Sequence, residues 1–458
     1  MAWKWRPLPA ALTAVPSMAL LGGGQECPSL CDAPTANTTE PSQGIRPDSP
    51  AIGDPLPGTA YGTSKLKLVH VVFRHGARTP LTDKFWEGQV WDCCGEPYKE
   101  ARVEIHTKGG GPQPVSGKND EQVSTVLAGG CHKGELTILG KIQARELGKW
   151  LRQRYCADLG FLPASYQEGS ISAHTTNMAR TVQTLTGVVS GLYSDMPADR
   201  PLQVTTAADH DEFMYANPKA CPAVKPLLLA SRKLALADAE SKQAMDEVTK
   251  QVVERSGGAL QPPFHIIDMY DAYTATLSHG KALPEWMDAT LLGKIEELAT
   301  QRIKQIFGSD SPDDSSELLH MVMGRLLQEI VGNMDACIAG ESKEKLHLYS
   351  GHDTTVVPLL AAFGMNLDHW PPYASNIVIE LWECMSHGKA EYYVRAMYNG
   401  NVVSWPGLLP GEMCRLDHLK EYILHRFLEH NPLQDCHTWD KEAQAAAEVT
   451  GGGAGTQF

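Results

Sequence analysis

The chain has 458 residues, of which 42% are hydrophobic and 21% charged, and its formal net charge is -14. This composition is typical of an ordinary globular protein with a sizeable core and excludes a disordered or fibrous chain. The acidic balance argues against general binding to nucleic acids or anionic membranes, because both need a broad basic face. An anionic small molecule would therefore need a local positive pocket.

Residues 1–25 have the pattern of a leader segment. Lys4 and Arg6 precede an apolar stretch at 8–21 that prolines interrupt. A charged start before a short apolar stretch is typical of a signal peptide, and this stretch is too short and broken for a stable membrane span. We expect entry to the secretory pathway, with a mitochondrial or plastid transit peptide as the alternative.

Residues 26–64 are rich in Pro, Ser, Thr and Gly and predict a flexible linker. Asn37 begins an N-x-S/T sequon there, which would accept a glycan in a secreted chain. The eleven cysteines predict a few disulfides plus buried thiols, and they form no zinc pattern with histidine. The sequence fixes neither their pairing nor an oligomeric state.

An apolar, β-branched run at 66–73 predicts a buried strand, and Arg74, His75 and Arg78 crowd at its end. Residues 81–134 then form a long, Gly- and Lys-containing excursion of loop character. Two later segments repeat the order of strand, polar loop and helix.

The first of these segments has His174 in its loop, and the second has His352 and Asp353. Helical periodicity is also clear from Thr137, a plausible N-cap, to Tyr155, and through most of 205–335. Further strands are predicted in "NIVIELW" and "EYYVRAMYNG".

Strands that alternate with helices indicate an α/β layered fold, and the helical block within it indicates an inserted cap. Ligands in open α/β sheets bind beyond the carboxyl ends of strands. We therefore expect the three polar loops to converge on one site.

Two guanidiniums beside an imidazole suit a phosphoryl group. Arg74 and Arg78 could each donate paired hydrogen bonds to its oxygens, and a neutral His75 could attack phosphorus. Asp353, with its pKa raised by the bound anion, could protonate the leaving alkoxide. His352 could stabilise the phosphoryl oxygens in the transition state.

Each piece alone has a structural explanation. Asp353 could simply cap the helix that follows it, and Arg74 and Arg78 could form ordinary ion pairs with some of the 54 acidic residues. Only the ordered combination of the three loops favours a phosphoryl-transfer site.

The segments "VVFRHGARTP", "LTILGKIQARELGKWLRQRY" and "LYSGHDTTVVPLL" resemble the histidine acid phosphatase family, branch 2 of the histidine phosphatases, over about 65–435. The resemblance implies a phosphoglycerate mutase-like, three-layer sandwich with a central mixed sheet and an inserted, mostly helical cap. It implies a domain at 65–440 with cap insertions at about 81–134 and 205–335. It implies no metal and no organic cofactor. We expect residues 441–458 to form a disordered tail.

The resemblance also implies a role for each site residue. The implied roles are His75 as the phosphorylated nucleophile, Asp353 as proton donor, and Arg74, Arg78 and His352 as phosphate-binding groups.

One position departs from the family pattern. The second site segment usually reads R-S-T-x-x-x-R, and its first arginine binds phosphate, whereas His174 stands there in this chain. Arg180 matches the second arginine and is expected to stay on the following helix. We therefore expect His174 to replace the arginine as a weaker phosphate ligand, charged only at acidic pH.

The expected partner is a small-molecule phosphate monoester, and the segments "DHDEFMYANPKAC" and "GMNLDHWPPYASNIVIELW" resemble the members of the family that act on lysophosphatidic acid. A weakened or inactive phosphate- or lipid-binding protein is the alternative from another class, because His174 stands where the arginine should be. An inositol-phosphate phosphatase is a third possibility, which the acidic balance does not favour.

Overall fold

The computed structural model describes residues 63–82, 85, 89–197, 199–307, 316–365, 367–409, 411–428 and 435–436. The predicted leader, nearly all of the predicted linker and the predicted tail lie outside these residues.

A nine-stranded mixed sheet runs through the domain in the order β2-β4-β3-β5-β1-β6-β7-β8, with β9 paired to β7. The strands from β2 to β1 along this order pair in parallel, and β6 begins an antiparallel half. The strands are β1 (Thr63–Arg74), β2 (Val103–Thr107), β3 (Ile171–Thr175), β4 (Leu202–Thr206), β5 (Leu346–Gly351), β6 (Asn376–Ser386), β7 (Lys389–Tyr398), β8 (Asn401–Val403) and β9 (Cys414–Arg415).

Side chains that alternate along β1 divide the core into two clusters. Val69 and Val71 face one side, where helices α2 and α3 pack, and Leu68 and Val72 face the other side, where α9 and the cap helices pack. The helices are α1 (Gly117–Val123), α2 (Ile138–Arg152), α3 (Ala179–Leu192), α4 (Val224–Ala237), α5 (Ala239–Arg255), α6 (Ile266–Ser278), α7 (Ala289–Phe307), α8 (Ser316–Ala339), α9 (Asp353–Ala362) and α10 (Leu416–Ile423), with π-helical turns at Gln153–Asp158 and Leu424–Leu428. The predicted α/β fold with a central mixed sheet and a helical insertion is confirmed.

Local sequence accounts for the element boundaries near the site. Thr137 caps α2 as predicted, with its side-chain oxygen accepting from the Gly140 N–H. Helices α4 to α8 fill the chain between β4 and β5 and form the cap.

The excursion at 81–134 is more than a cap insertion. Its residues Val103–Thr107 form β2 at the edge of the central sheet, in parallel register with β4. The sequence did not predict this strand, because it is short and lies in a segment without clear periodicity.

Two disulfides lie within the described residues, Cys93–Cys131 and Cys221–Cys436. The second ties the start of the cap to the segment that follows α10. Among the described helices, none has the length and hydropathy that crossing a bilayer requires.

Candidate active site

The carboxyl ends of β1 and β5 lie side by side. The two strands pair in parallel with Arg74 opposite Gly351, and the His75 N–H donates to the Gly351 carbonyl at 3.0 Å. This register places the loop that begins at His75 beside the loop that begins at His352. The predicted convergence of these two loops is therefore found.

Gly76 lets helix α2 approach the loop after β1. A Cβ at Gly76 would collide with the backbone of Gly140, and a Cβ at Gly140 would collide with the backbone of Ala77. Backbones can come this close only where neither residue has a side chain. The first turn of α2 thus fixes the loop that carries His75 and Arg78.

His75 has one ring nitrogen committed and one available. Its Nδ1 lies 2.9 Å from the carbonyl oxygen of Gly76, which can only accept, so Nδ1 carries the proton and Nε2 keeps a lone pair. Burial, followed by the charges of Arg180, Arg78 and Arg74, lowers the pKa of His75 well below 6.5. The imidazole is therefore neutral and has a nucleophilic nitrogen at acidic pH.

Arg74 is buried and held on two sides. Its Nη1 donates to the Pro371 carbonyl, its Nη2 lies 2.9 Å from Asp353 Oδ2, and its guanidinium stacks 4.5 Å above the ring of Tyr373. Tyr373 also flanks His75, with ring centroids 6.0 Å apart. These contacts fix the guanidinium next to the nucleophile.

Arg78 is held by the cap. Its Nη2 lies 2.8 Å from Oδ1 of Asp271 and its Nη1 lies 3.2 Å from Oδ2, so the pair is bidentate. Asp271 belongs to α6, and it also accepts from the Leu81 N–H at 3.3 Å. No pattern in the sequence indicates that a carboxylate from the helical block reaches the loop after β1.

His352 lies across the site from His75, with ring centroids 5.6 Å apart. Its Nδ1 lies 3.4 Å from Arg180 Nη2 and its Nε2 lies 3.0 Å from Thr176 Oγ1. Because a guanidinium only donates, Nδ1 accepts and Nε2–H donates to the threonine. Burial and the charge of Arg180 lower the pKa of His352 well below 6.5, so it is a neutral donor.

Asp353 is the first residue of α9, and its carboxylate is ionised in the free site. Its Oδ1 accepts from the Thr354 N–H at 2.8 Å, and its Oδ2 faces Arg74. Burial alone would raise the pKa of Asp353, but Arg74 and Arg78 outweigh it and hold the pKa below 3.8. The raised pKa expected of a proton donor is therefore not a property of the free site.

Arg180 enters the site, contrary to the expectation that it stays on the helix. It lies in the first turn of α3, donates through Nη2 to His352, and donates through Nη1 to Gln122 Oε1 at 2.6 Å. Burial, followed by the charge of Arg78, lowers its pKa to about 9. Of the charged groups around His75, Arg180 lowers the pKa of His75 the most.

His174 is the one predicted site residue that the structure does not bring to this cluster. It lies within β3, its Nδ1 is 3.0 Å from Thr205 Oγ1, and its ring packs 5.1 Å from Phe213. Burial lowers the pKa of His174 to about 4, so its imidazole is neutral at pH values above this. Strand β3 ends at Thr175, so His174 lies inside the sheet and not beyond its carboxyl end. The side chain that enters the site from this segment is therefore Arg180 of α3.

The excursion and the cap loop supply two further groups beside His352. Tyr215 packs edge-on against His352 at 5.6 Å, and Lys118 of α1 places its ammonium 4.6 Å above the Tyr215 ring. Lys118 is also close enough to lower the pKa of His352 by its charge. Of the residues that precede Tyr215, Met214 is fully buried in the core and Phe213 is partly buried against it.

The three arginines share one feature. Each has a buried Nε–H without a hydrogen-bond acceptor among the described residues: Arg74, Arg78 and Arg180. Buried N–H groups are nearly always paired, so three orphaned donors in one cluster indicate an absent acceptor-rich group. A phosphoryl dianion supplies that chemistry.

The sequence matches the family described as histidine phosphatase superfamily (branch 2) over residues 65–399. Lysophosphatidic acid phosphatase type 6 of Homo sapiens is 28% identical over 361 residues, which cover 77% of this chain and 81% of that protein. Prostatic acid phosphatase of Homo sapiens is 27% identical over 377 residues, which cover 78% of this chain and 85% of that protein.

The fold is similar to that of solved phytases. The phytase of Hafnia alvei aligns with a TM-score of 0.56 and 14% identity, and the alignment covers 82% of this chain and 99% of that chain. Because the family match spans more than half of this sequence and the fold agrees, the chain belongs to branch 2 of the histidine phosphatase superfamily.

Proposed function

We propose that this chain hydrolyses phosphate monoesters through a phosphohistidine formed on His75. Phosphoric monoester hydrolysis is the activity of the acid phosphatases that share its family. The observation that carries the proposal is the set of three orphaned arginine Nε–H donors around a histidine whose Nε2 is free.

The first step is attack by His75 Nε2 on phosphorus. The N–P bond forms as the ester P–O bond breaks, and the alkoxide takes a proton from Asp353. The bound phosphoryl dianion shares the charges of Arg74 and Arg78 and adds negative charge beside the carboxyl, so it raises the pKa of Asp353 from its low free value. Asp353 can then be protonated in the complex.

The second step returns the enzyme to its starting state. Asp353, now a carboxylate, takes a proton from water as the oxygen attacks phosphorus and the N–P bond breaks. Inorganic phosphate leaves, the pKa of Asp353 returns to its low free value, and the proton passes to solvent. Binding of the next substrate raises this pKa again, so Asp353 takes up a new proton in the complex. Arg74, Arg78 and Arg180 would hold the phosphoryl oxygens through both steps, and His352 would join them by turning its Nε2–H from Thr176 to a phosphoryl oxygen.

The binding-protein alternative rested on the missing arginine of the second site segment. Arg180 places a guanidinium against His352, so the structure gives that alternative no support at this position.

Hydrolysis of an aryl phosphate by the full chain, with His75→Ala as the control, tests the proposal. Activity that survives in the control would overturn the role of His75.

Lysophosphatidic acid is the first candidate substrate, because relatives named lysophosphatidic acid phosphatase type 6 align over most of the chain. An inositol phosphate is the second candidate, and Lys118 favours it as a further cation beside the phosphate-binding arginines. To separate the two candidate substrates, kcat/KM is measured for lysophosphatidic acid and for myo-inositol hexakisphosphate, with the unaltered enzyme and with Lys118→Gln. A large loss confined to the inositol phosphate would support the second candidate.

We place the protein in the secretory pathway. Two disulfides among the described residues suit an oxidising compartment. The leader and the Asn37 sequon on which targeting and glycosylation depend lie outside the described residues. Expression with a reporter fused to the C-terminus tests this placement, and import into mitochondria or plastids would contradict it.

A further inference from the structure

Helix α4 exposes more apolar surface than its neighbours. Leu229, Leu234 and Leu236 are 50%, 73% and 61% exposed. Within the described parts of the chain, no other helix exposes more than one large apolar side chain. Single exposed leucines are common on protein surfaces, whereas a group on one helix marks an interaction site.

The exposed face of α4 is an ordered stripe. Lys225, Leu229, Lys233 and Leu236 follow at spacings of four, four and three, which places them on one side of the helix. Val224, Leu228 and Ala235 are the buried residues of a neighbouring side, and Leu234 lies on neither of these two sides. The leucines of the stripe are therefore not misplaced core residues.

The charge of this helix is opposite to that of the chain. No acidic residue occurs in Val224–Ala237, although the chain as a whole carries -14. Lys225 and Lys233 form no ion pair with the residues that the structure describes. An acidic protein thus presents leucines and uncompensated lysines together on one helix.

The leucines and lysines on α4 together indicate what kind of partner this helix binds. Leucines beside lysines on a helix surface match the boundary between the acyl chains and the headgroups of an anionic bilayer. A second copy of the chain is a poor partner, because two-fold pairing of α4 with itself would face lysines with lysines.

We propose that α4 docks this protein on anionic membranes, lying in the interface with Leu229 and Leu236 of the stripe among the lipid headgroups. The docking does not depend on the phosphatase activity. For a lipid phosphate substrate it would keep the enzyme at the surface where that substrate resides.

Sedimentation with vesicles tests the proposal. The full chain, Leu229→Gln/Leu236→Gln and Lys225→Gln/Lys233→Gln are mixed with vesicles of phosphatidylglycerol and phosphatidylcholine in equal parts, or of phosphatidylcholine alone. The unaltered chain is expected to bind the anionic vesicles, and each double variant to bind at least about tenfold more weakly. Salt should release the unaltered chain by screening its lysines.

The matched control is Val402→Gln/Leu409→Gln, which removes exposed apolar residues elsewhere. Residues 8–21 are also apolar, so every comparison uses full chains that differ only at two positions. Aryl phosphate hydrolysis by each variant should equal that of the unaltered chain, which shows that folding and the active site are intact. Equal vesicle binding by the unaltered chain and the leucine variant would overturn the proposal, as would a shift from dimer to monomer in the leucine variant.

Discussion

Arg78 and Asp271 form a bidentate ion pair that joins the loop after β1 to cap helix α6, with N–O distances of 2.8 and 3.2 Å. The carboxylate occupies the Nη1 and Nη2 end of the guanidinium, and the Thr79 carbonyl takes another Nη1 hydrogen at 3.0 Å. The Nε–H and the remaining Nη2–H, which are parallel, are left for two phosphoryl oxygens. A cap residue thereby orients a phosphate-binding residue of the core.

Asp271→Asn is expected to lower kcat/KM about 10- to 100-fold, because the loss of a charge-assisted pair of about 1.5–3 kcal/mol frees the guanidinium to rotate. Steady-state kinetics on an aryl phosphate measure the effect. Asp268→Asn, on the same helix, is the matched control and should behave like the unaltered enzyme. If the two variants lose activity equally, Asp271 has no specific role in orienting Arg78.

Arg180, and not His174, is expected to determine how well this enzyme stabilises the transition state. Arg180→Gln should lower kcat about 10² to 10³-fold through the loss of one guanidinium at the phosphoryl oxygens, and Arg180→Lys should recover part of the loss. His174→Arg should give no gain at neutral pH, because its side chain lies against Phe213. A clear gain in kcat/KM from His174→Arg would contradict the placement of both residues.

The pH dependence follows from the low pKa of His75. Attack needs a neutral imidazole, and burial with the nearby arginines holds this pKa well below 6.5. Protonation therefore removes the nucleophile only as pH falls through that lowered value. After correction for the second ionisation of the substrate, the acid limb of kcat/KM is expected below 6.5. An enzyme pKa at or above 6.5 would show that the site is less desolvated than the structure implies.

Glu380 is expected to stabilise the fold in its ionised form. It is fully buried in β6, and Arg154, Tyr155, Trp382 and Arg395 all donate to its two oxygens. Burial would raise its pKa, but Arg395 and Arg154 outweigh it and hold the pKa below 4.5. A depressed carboxyl pKa stabilises the folded state above the unfolded value, and this contribution is lost as pH falls through the folded value.

Glu380→Gln should therefore lower the free energy of unfolding by about 3–5 kcal/mol near neutral pH, since it leaves two buried arginines without their counter-charge. Urea denaturation of both proteins measures the difference, which should shrink at pH values below 4.5. Glu383→Gln, in the same strand but half-buried, is the control and should cost much less. A difference that stays constant with pH would contradict the assigned ionisation.

Much of the fold could be predicted from local sequence. The strand that ends at Arg74 and the strand and helix around Asp353 have periodic apolar patterns, and these patterns predict β1, β5 and α9 directly. Parallel pairing of the two strands then brings His75 to His352 without further information.

The remaining site residues depend on tertiary structure. Arg180 reaches the site only because β3 ends at Thr175 and α3 begins at Ala179, and helix boundaries are poorly determined by sequence. Asp271 and Lys118 come from the cap and the excursion, where no local pattern shows which polar residue faces inward. Their roles follow from packing between distant segments.

The central claim is that His75 carries the phosphoryl group during turnover. Asp353→Asn should accumulate this intermediate with an aryl phosphate, because the leaving group needs little protonation while attack by water still needs a base. Peptide mass spectrometry after rapid denaturation at neutral pH is the direct test. The account predicts one phosphoryl group on His75, absent from His75→Ala, and turnover with His75 unmodified or another residue phosphorylated would contradict it.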